Sequence, residues 1–231
     1  MIIKANNISK KFLNKTILNN FSIDIDYKES VVIVGKSGSG KTTLLNILSH
    51  IEKVDSGTIY WEKTDINKLN QSKINKIIRY DIGYLFQNYA LLDNKTVYEN
   101  IEIACKYKKY KSIAEKEYDI ENALKRVGLS GFENRMVYSL SGGEQQRVAL
   151  ARIIVKPCKI IFADEPTGNL DKENSKKIMD ILFDLNKEGK SLVVVTHDKE
   201  IINRFDTIID LDKLSWVNSS ISEVNFNWSI Y

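Results

Sequence analysis

Residues 35–42 read Gly-Lys-Ser-Gly-Ser-Gly-Lys-Thr, and this run constrains the fold more than any other part of the chain. It matches the pattern G-x-x-x-x-G-K-[ST] at every fixed position. The apolar, β-branched residues 30–34 before it predict a buried strand, and residues 43–48 after it predict a helix. A glycine-rich turn between a strand and a helix surrounds an anion with backbone N–H groups and the positive end of the helix dipole. A chance glycine turn is the alternative, and the flanking strand and helix argue against it.

The run therefore predicts a binding site for a nucleoside triphosphate. Lys41 is expected on the β- and γ-phosphates, and the Thr42 hydroxyl is expected on Mg²⁺. The residues expected around the nucleotide in this run are Gly35, Ser37, Gly38, Ser39, Gly40, Lys41, Thr42 and Thr43.

Length and composition indicate a single globular domain. The chain has 231 residues, and 43% apolar with 28% charged residues is ordinary for a soluble protein. Apolar runs such as Leu192–Val195 and Ile160–Ala163 fall far short of the roughly 18 residues that a membrane span needs. The first residues lack the layout of a signal peptide, so we expect a cytoplasmic protein that is able to dock onto a membrane component. Cys105 and Cys158 have no metal-ligand spacing and are expected to be buried free thiols.

The charge pattern does not favour nucleic-acid binding. The net charge is only +4, from 34 basic and 30 acidic residues. The one dense basic stretch, residues 106–111, contains two tyrosines that could stack on bases. Acidic residues follow at positions 115, 117 and 119, which favours a solvated surface segment. No nucleic-acid partner is therefore expected.

The order of elements predicts an α/β fold with a parallel sheet. Alternating apolar positions in residues 1–34 predict antiparallel strands, and residues 57–62 predict another strand. Residues 67–128 are mostly helical in pattern, with one strand near 82–87, which indicates an inserted helical subdomain. Two buried strands and an amphipathic helix are predicted at residues 160–163, 192–195 and 172–188.

Two consecutive acids, Asp164 and Glu165, follow the apolar strand predicted at 160–163. Ligands of parallel sheets lie at the carboxyl ends of the strands, so both carboxylates are expected near the phosphates. Asp164 is expected to hold the Mg²⁺ hydration shell opposite Thr42, and Glu165 to orient the attacking water. A structural acid at the strand end is the alternative, and the second acid beside a phosphate loop argues against it.

A second glycine turn opens a helix at Leu140-Ser141-Gly142-Gly143-Glu144-Gln145-Gln146. The Ser141 hydroxyl and the N–H groups of Gly142 and Gly143 form another potential anion site. An ordinary capped helix start is the alternative. Because one nucleotide does not need two such sites from the same chain, we predict a dimer. In this dimer the turn of one chain closes over the triphosphate held by the other.

The order of these motifs resembles that of the ATP-binding-cassette (ABC) ATPases over residues 1 to about 212. The resemblance implies a P-loop NTPase cassette with a RecA-like core, an N-terminal antiparallel β subdomain and an inserted α-helical subdomain at about 88–158. It implies an ATPase domain over residues 1–213 and an atypical tail over 214–231. It also implies a head-to-tail dimer around two ATP molecules that passes its motion to an integral membrane permease.

Four further positions take their roles from this resemblance. Phe12 matches the aromatic residue that stacks on adenine, with a buried strand residue as the alternative. Gln87 matches the glutamine that senses Mg²⁺ and the γ-phosphate and couples to the permease. Asp171 matches the loop that crosses the dimer interface, and His197 matches the switch histidine on the γ-phosphate. The implied catalytic residues are Glu165, His197, Lys41 and Gln87, and the implied metal-binding residues are Thr42, Gln87 and Asp164.

Two segments point to a branch of the family. Residues 163–171 look like the macrolide-exporter, lipoprotein-releasing and antimicrobial-peptide group, although the cell-division ATPase carries the same run. Within residues 86–100, the run Asp93-Asn94-Lys95-Thr96-Val97 is similar to the bacteriocin-export branch. The resemblance thus implies the ATPase subunit of an exporter of peptides, lipoproteins or antimicrobial compounds at the cytoplasmic face of the membrane. A regulator of a membrane partner, similar to the cell-division ATPase, is the alternative.

Two segments depart from the family pattern. Met136-Val137-Tyr138-Ser139 replaces the usual proline-bearing approach to the second glycine turn, which leaves the pose of Ser141 open. Residues 214–231 form an alternating, aromatic tail in place of a basic hairpin. We expect an extra edge strand there, with a partner contact or disorder as alternatives.

Overall fold

The computed structural model describes residues 1–13, 15–168, 170–213 and 215–218, with side chains through residue 213. Its first sheet is antiparallel and has the strand order β2-β1-β4-β5. Alternate side chains of β1 and β2 are buried, as the alternating sequence predicts. The four strands are β1 (Ile3–Phe12), β2 (Lys15–Ile25), β4 (Ser56–Trp61) and β5 (Thr64–Asp65).

The second sheet has six strands in the order β10-β9-β3-β8-β7-β6. Five strands run parallel to one another, namely β6, β7, β8, β3 and β9, whereas β10 runs antiparallel to β9. All side chains of β7 and β8 are buried, which is why their sequences are continuously apolar. The strands are β3 (Ser30–Val34), β6 (Ile82–Leu85), β7 (Ile160–Asp164), β8 (Ser191–Val195), β9 (Thr207–Asp210) and β10 (Ser215–Asn218).

Two predictions about strands are affected by this topology. The prediction that residues 1–34 form antiparallel strands is wrong for β3, which lies between β8 and β9 in the parallel sheet. The prediction of an extra edge strand in the tail is confirmed for residues 215–218. The rest of that prediction, over residues 219–231, lies outside the described residues.

Seven α-helices are present in the described ranges. Helices α3, α4 and α5 pack against one another and lie within the range predicted for the helical insert. The division of the chain into subdomains remains a prediction. None of the described helices is long and apolar enough to cross a membrane. The helices are α1 (Lys41–Leu48), α2 (Gln71–Tyr80), α3 (Val97–Cys105), α4 (Ile113–Arg126), α5 (Gly142–Val155), α6 (Lys172–Lys187) and α7 (Lys199–Ile202).

The hydrophobic core lies on both faces of the parallel sheet. On one face, Val32 and Ile161 join a cluster with helices α3 to α6. On the other face, Val31 and Phe162 join a cluster with α1 and the antiparallel sheet. Both predicted free cysteines are buried and unpaired with each other. Because side chains alternate between faces along a strand, burial on both sides fixes the register.

The topology brings four predicted segments to one edge of the parallel sheet. The glycine run follows β3, and Gln87 lies two residues after β6. Asp164 ends β7 and Glu165 follows it, while His197 lies two residues after β8. Parallel strands share the edge at which they end, so these segments converge.

Candidate functional site

The loop between β3 and α1 is built on unusual backbone conformations. Gly38 and Gly40 have φ of +76° and +99°, a region that favours glycine. The Lys36 N–H donates to Asp212 Oδ2 at 2.8 Å, which ties the loop to the chain after β9. Gly40 is the N-cap of α1 and supplies no side-chain cap. N–H groups in the first turn of α1 are therefore available to an anion.

Lys41 lies across this loop rather than pointing into solvent. Its Nζ donates to the carbonyl oxygens of Gly35 at 2.9 Å and Lys36 at 2.8 Å, and the residue is only 6% exposed. Ser39 Oγ is buried and has no hydrogen-bond partner. The Lys41 cation and the unpartnered Ser39 hydroxyl thus lie beside the backbone N–H groups that can bind an anion.

A hydroxyl and a carboxylate meet directly beside the loop. Thr42 Oγ1 donates to Asp164 Oδ1 at 3.1 Å across two elements that are far apart in sequence. Burial raises the pKa of the Asp164 carboxyl, and the negative charge of Glu165 raises it further against the opposing Thr42 hydrogen bond.

Glu165 is contacted from two sides. His197 Nε2 lies 2.9 Å from Glu165 Oε1, and Gln87 Nε2 lies 3.4 Å from Glu165 Oε2. Three side chains from the ends of β6, β7 and β8 are therefore held in one group. A carboxylate that is oriented in this way is suited to accept a proton from water.

Phe12 lies at the end of β1 with 45% of its surface exposed, so the alternative of a buried strand residue is wrong. Lys10 Nζ lies 5.1 Å from the centroid of its ring. Its hairpin is next to the glycine loop, because Ile17 Cγ2 lies 2.4 Å from the point that a Cβ on Gly40 would occupy. The hairpin that carries this exposed ring thus packs on the phosphate loop through Ile17.

The second glycine turn forms a capped helix start. Ser141 is the N-cap of α5, and its Oγ donates to Glu144 Oε2 at 2.8 Å. The Glu144 N–H donates back to Ser141 Oγ at 3.3 Å. The Ser141 hydroxyl lowers the pKa of the Glu144 carboxyl, and the Ser141 N–H, which donates to the same Oε2 at 2.8 Å, lowers it further. The short 3-10 turn Val137–Ser139 leads into this helix.

Gly143 of the second glycine turn lies near the start of α6, which Asp171 caps. Asp171 caps α6 by accepting the N–H of Asn174 at 2.8 Å. A Cβ on Gly143 would lie 3.5 Å from the side chain of Asn174. None of these contacts involves the phosphate loop. The predicted residues thus form two groups, of which the second contains Ser141, Gly142, Gly143 and Asp171.

Gln146 was not among the residues predicted for the site, yet it contacts the loop after Glu165. Its Nε2 donates to the carbonyl oxygen of Pro166 at 2.8 Å, and the residue is 1% exposed. Its spacing from Leu150 and Ile153 places it on the buried face of α5. A polar residue on an apolar helix face was the available sequence signal.

Comparison with known proteins links this geometry to a family. The family described as ABC transporter matches residues 18–168. The cell division ATP-binding protein FtsE of Mycobacterium tuberculosis is 39% identical over 205 residues, which cover 88% of this chain and 88% of the relative. The macrolide export ATP-binding/permease protein MacB of Pasteurella multocida is 37% identical over 217 residues, or 91% of this chain. The chain spans only about a third, 33%, of the length of that relative.

A solved structure supports the same relationship. A dimeric ATP-binding cassette in a post-hydrolysis state, bound to ADP and Pi, superposes with a TM-score of 0.83 at 38% identity. The match covers 90% of this chain and 93% of the other. It confirms the predicted α/β cassette fold. Because the family match spans more than half of the sequence and FtsE matches nearly end to end, this chain belongs to the ABC transporter family of ATP-binding proteins.

Proposed function

We propose that the chain binds ATP at residues 35–43 and hydrolyses it with Glu165 as the residue that positions water. The single observation that carries this proposal is the Glu165 carboxylate, held between His197 and Gln87 beside the Thr42–Asp164 pair. Hydrolysis of a phosphoanhydride depends mainly on positioning and on charge stabilisation, and this group supplies both.

The donor set beside the phosphate loop fits Mg²⁺. Thr42 and Asp164 present a hydroxyl and a carboxylate 3.1 Å apart, and hard oxygen ligands of this kind suit the ion. Gln87 is the third residue assigned to it. Mg²⁺ usually takes few protein ligands and fills its shell with phosphates and water, and bound there it would neutralise phosphate charge.

The remaining steps use side chains of this chain. Lys41 moves from the loop carbonyls to the β- and γ-phosphates, where its charge opposes the charge that builds up on the transferred group. Glu165 accepts a hydrogen bond from the attacking water and aligns it in line with the leaving group. His197 holds the other side of the carboxylate and reaches the γ-phosphate. Phe12 stacks on the adenine base.

We propose that two copies close head to tail around two ATP molecules. The second group, Ser141 to Gly143 with Asp171, carries a helix start suited to a phosphate yet contacts other parts of its own chain. In the proposed dimer, this turn contacts the nucleotide that the partner chain holds. The dimeric state of the similar cassette supports this arrangement.

The motion of this dimer is proposed to drive an integral membrane permease from the cytoplasmic face. The name of the MacB relative joins an ATP-binding part to a permease, and this chain matches about a third of that protein. The proposed cargo class is a peptide or bacteriocin, a lipoprotein or an antimicrobial compound. The FtsE relative favours a second candidate, regulation of a membrane partner without transport. Identification of the membrane protein that copurifies with the tagged chain distinguishes the two candidates.

Substitution Glu165→Gln tests the ATPase proposal. We expect ATP affinity to be retained and hydrolysis to fall by roughly a hundred-fold or more, because the amide cannot accept the proton. We also expect an ATP-dependent dimer on size exclusion with light scattering, because closure is no longer followed by cleavage. Hydrolysis at the wild-type rate would show that Glu165 is not the catalytic residue.

A further inference from the structure

Glu165 has a strained backbone. Its φ is +44°, a conformation that non-glycine residues rarely adopt. Such strain persists only where the surrounding structure over-determines it, and it is concentrated at functional sites. The contacts that hold the chain at this point therefore decide whether the carboxylate stays opposite His197.

Three hydrogen bonds hold the chain around Glu165. Its N–H donates to the Val195 carbonyl at 3.0 Å, and its own carbonyl accepts from the Gly168 N–H at 3.1 Å. The next residue, Pro166, has no N–H, so its carbonyl is the only backbone polar group by which it can be held. That carbonyl accepts the Gln146 amide at 2.8 Å, and at 1% exposure this bond does not compete with water.

The Gln146 amide is only half satisfied. Its Oε1 is buried and has no hydrogen-bond partner. A buried acceptor without a partner destabilises the fold, and an apolar side chain of equal volume would avoid that cost. The amide therefore contributes a donor to Pro166 at the expense of stability, which indicates a role in the site rather than in the core.

A second contact joins the same two regions. Arg147, the next residue of α5, donates from Nη1 to Asn174 Oδ1 in the first turn of α6. Asn174 in turn donates from Nδ2 to Asp171 Oδ2 at 2.7 Å. Adjacent side chains of α5 thus hold both ends of the segment between Pro166 and Asp171.

We propose that Gln146 is a positioning residue for ATP hydrolysis: its amide holds the Pro166 carbonyl and so keeps Glu165 in the conformation that faces His197. The inference rests on the proposed function, in which Glu165 positions water. Because Ser141 caps the start of α5, the same bond connects the turn proposed to contact the partner's nucleotide with Glu165 of its own chain.

The test compares Gln146→Met with the wild-type chain. Methionine keeps the volume and removes both the donor and the unpartnered oxygen. We expect an equal or higher melting temperature, unchanged ATP affinity and KM, and a kcat lower by roughly ten- to a hundred-fold. The matched control is Gln71→Met, which removes an exposed amide hydrogen bond to Asn75 within α2 and should lower kcat much less. Wild-type kcat in Gln146→Met, or parallel loss of stability, affinity and kcat, would overturn the proposal.

A second variant, Gln146→Glu, gives a readout that a structural role would not move. A protonated carboxyl can donate to Pro166, whereas an ionised one repels its carbonyl. We compare the kcat of the variant with that of the wild type at the same pH. We expect this ratio to rise as pH falls and to approach zero as pH rises. A flat ratio across pH would contradict the proposal. If neither variant folds, Gln146 is needed for the fold and not specifically for the position of Glu165, and the proposal is wrong.

A double-variant cycle separates this inference from the proposed function. In the Glu165→Gln background, Gln146→Met should produce no further loss, because both act through one carboxylate. A fully additive loss would show that Gln146 acts elsewhere. If the wild-type chain itself hydrolyses no ATP, the proposed function fails first. If it does and Gln146→Met matches it, only the positioning role fails.

Discussion

Two glycines of the phosphate loop, Gly38 and Gly40, share positive φ values but differ in their surroundings. A Cβ on Gly38 would meet nothing within 4 Å, whereas one on Gly40 would lie 2.4 Å from Ile17 Cγ2. At Gly38 the need for glycine is therefore conformational alone. At Gly40 it is both conformational and steric, because the β1–β2 hairpin packs directly on the loop.

This difference gives a prediction about alanine substitutions. Gly38→Ala should lower the free energy of unfolding by about 1–2 kcal/mol through backbone strain alone. Gly40→Ala should cost more and abolish ATP binding, because the hairpin must move away from the loop. Urea unfolding and equilibrium binding of ATP measure both effects. Equal costs at the two positions would show that the contact with Ile17 is unimportant.

Single residues also mark the limit of sequence reasoning. The residues of the glycine run and the Asp164-Glu165 pair were predicted because their motifs are contiguous. Gln146 was missed because its partner, Pro166, lies 20 residues further along the chain. The burial of Lys10 was not predicted either. Its ammonium group is bound by Glu52, Lys53 and Asp55, which lie 42 to 45 residues away in sequence.

Among the elements, α5 begins with a reciprocal cap. Ser141 and Glu144 each satisfy a backbone N–H of the other, which is the pattern of a capping box. The pKa of Glu144 is lowered in the fold, so its ionised form stabilises the helix start. This stabilisation is present above the unfolded pKa, near 4.5, and is lost as pH falls through the lower folded value.

The variant Glu144→Gln tests this helix start. Near neutral pH it should lower the free energy of unfolding by at most about 0.5 kcal/mol, because the carboxylate is partly exposed to solvent. The difference should vanish well below pH 4.5, where Glu144 is protonated in the folded chain too. Chemical unfolding across pH measures it, with Glu117→Gln on the exposed side of α4 as the control. A difference that grows as pH falls would contradict the prediction.

The local sequence pattern identified most helices and strands, but it did not identify which strands pair with one another. The strand predicted at 57–62 is observed at Ser56–Trp61, and the helix predicted at 172–188 is observed at Lys172–Lys187. The strand at Ser30–Val34 was found, yet its sheet was wrongly assigned within residues 1–34. Its partners are Leu192–Val195 and Thr207–Asp210, and pairing over such separations is decided by tertiary packing.

At the scale of the whole molecule, the residues proposed for the nucleotide site fall into two groups within one chain. The first group, around Thr42 and Glu165, has its own hydrogen bonds, and the second, around Ser141, contacts α6. In the proposed dimer each site takes the first group from one chain and the second from the other. The arrangement is isologous, so each dimer holds two equivalent sites.

Mixing inactive variants tests this shared site. Lys41→Ala and Ser141→Arg should each be inactive alone. When the two variants are combined, about half of the dimers contain one chain of each. Such a dimer has one complete site out of two, so roughly a quarter of wild-type hydrolysis should return. A mixture of Lys41→Ala with the double variant Lys41→Ala/Ser141→Arg offers no complete site and should stay inactive. No recovery, with mixed dimers verified by native mass spectrometry, would contradict a site built from two chains.

The bonds from Lys41 to the carbonyls of Gly35 and Lys36 have a kinetic consequence. These two oxygens already accept hydrogen bonds from the ammonium group that we propose contacts the triphosphate. In that proposal, nucleotide binding exchanges two carbonyl ligands of a buried lysine for phosphate oxygens. We therefore expect the rate of nucleotide entry to depend on this exchange of hydrogen bonds as well as on diffusion to the site.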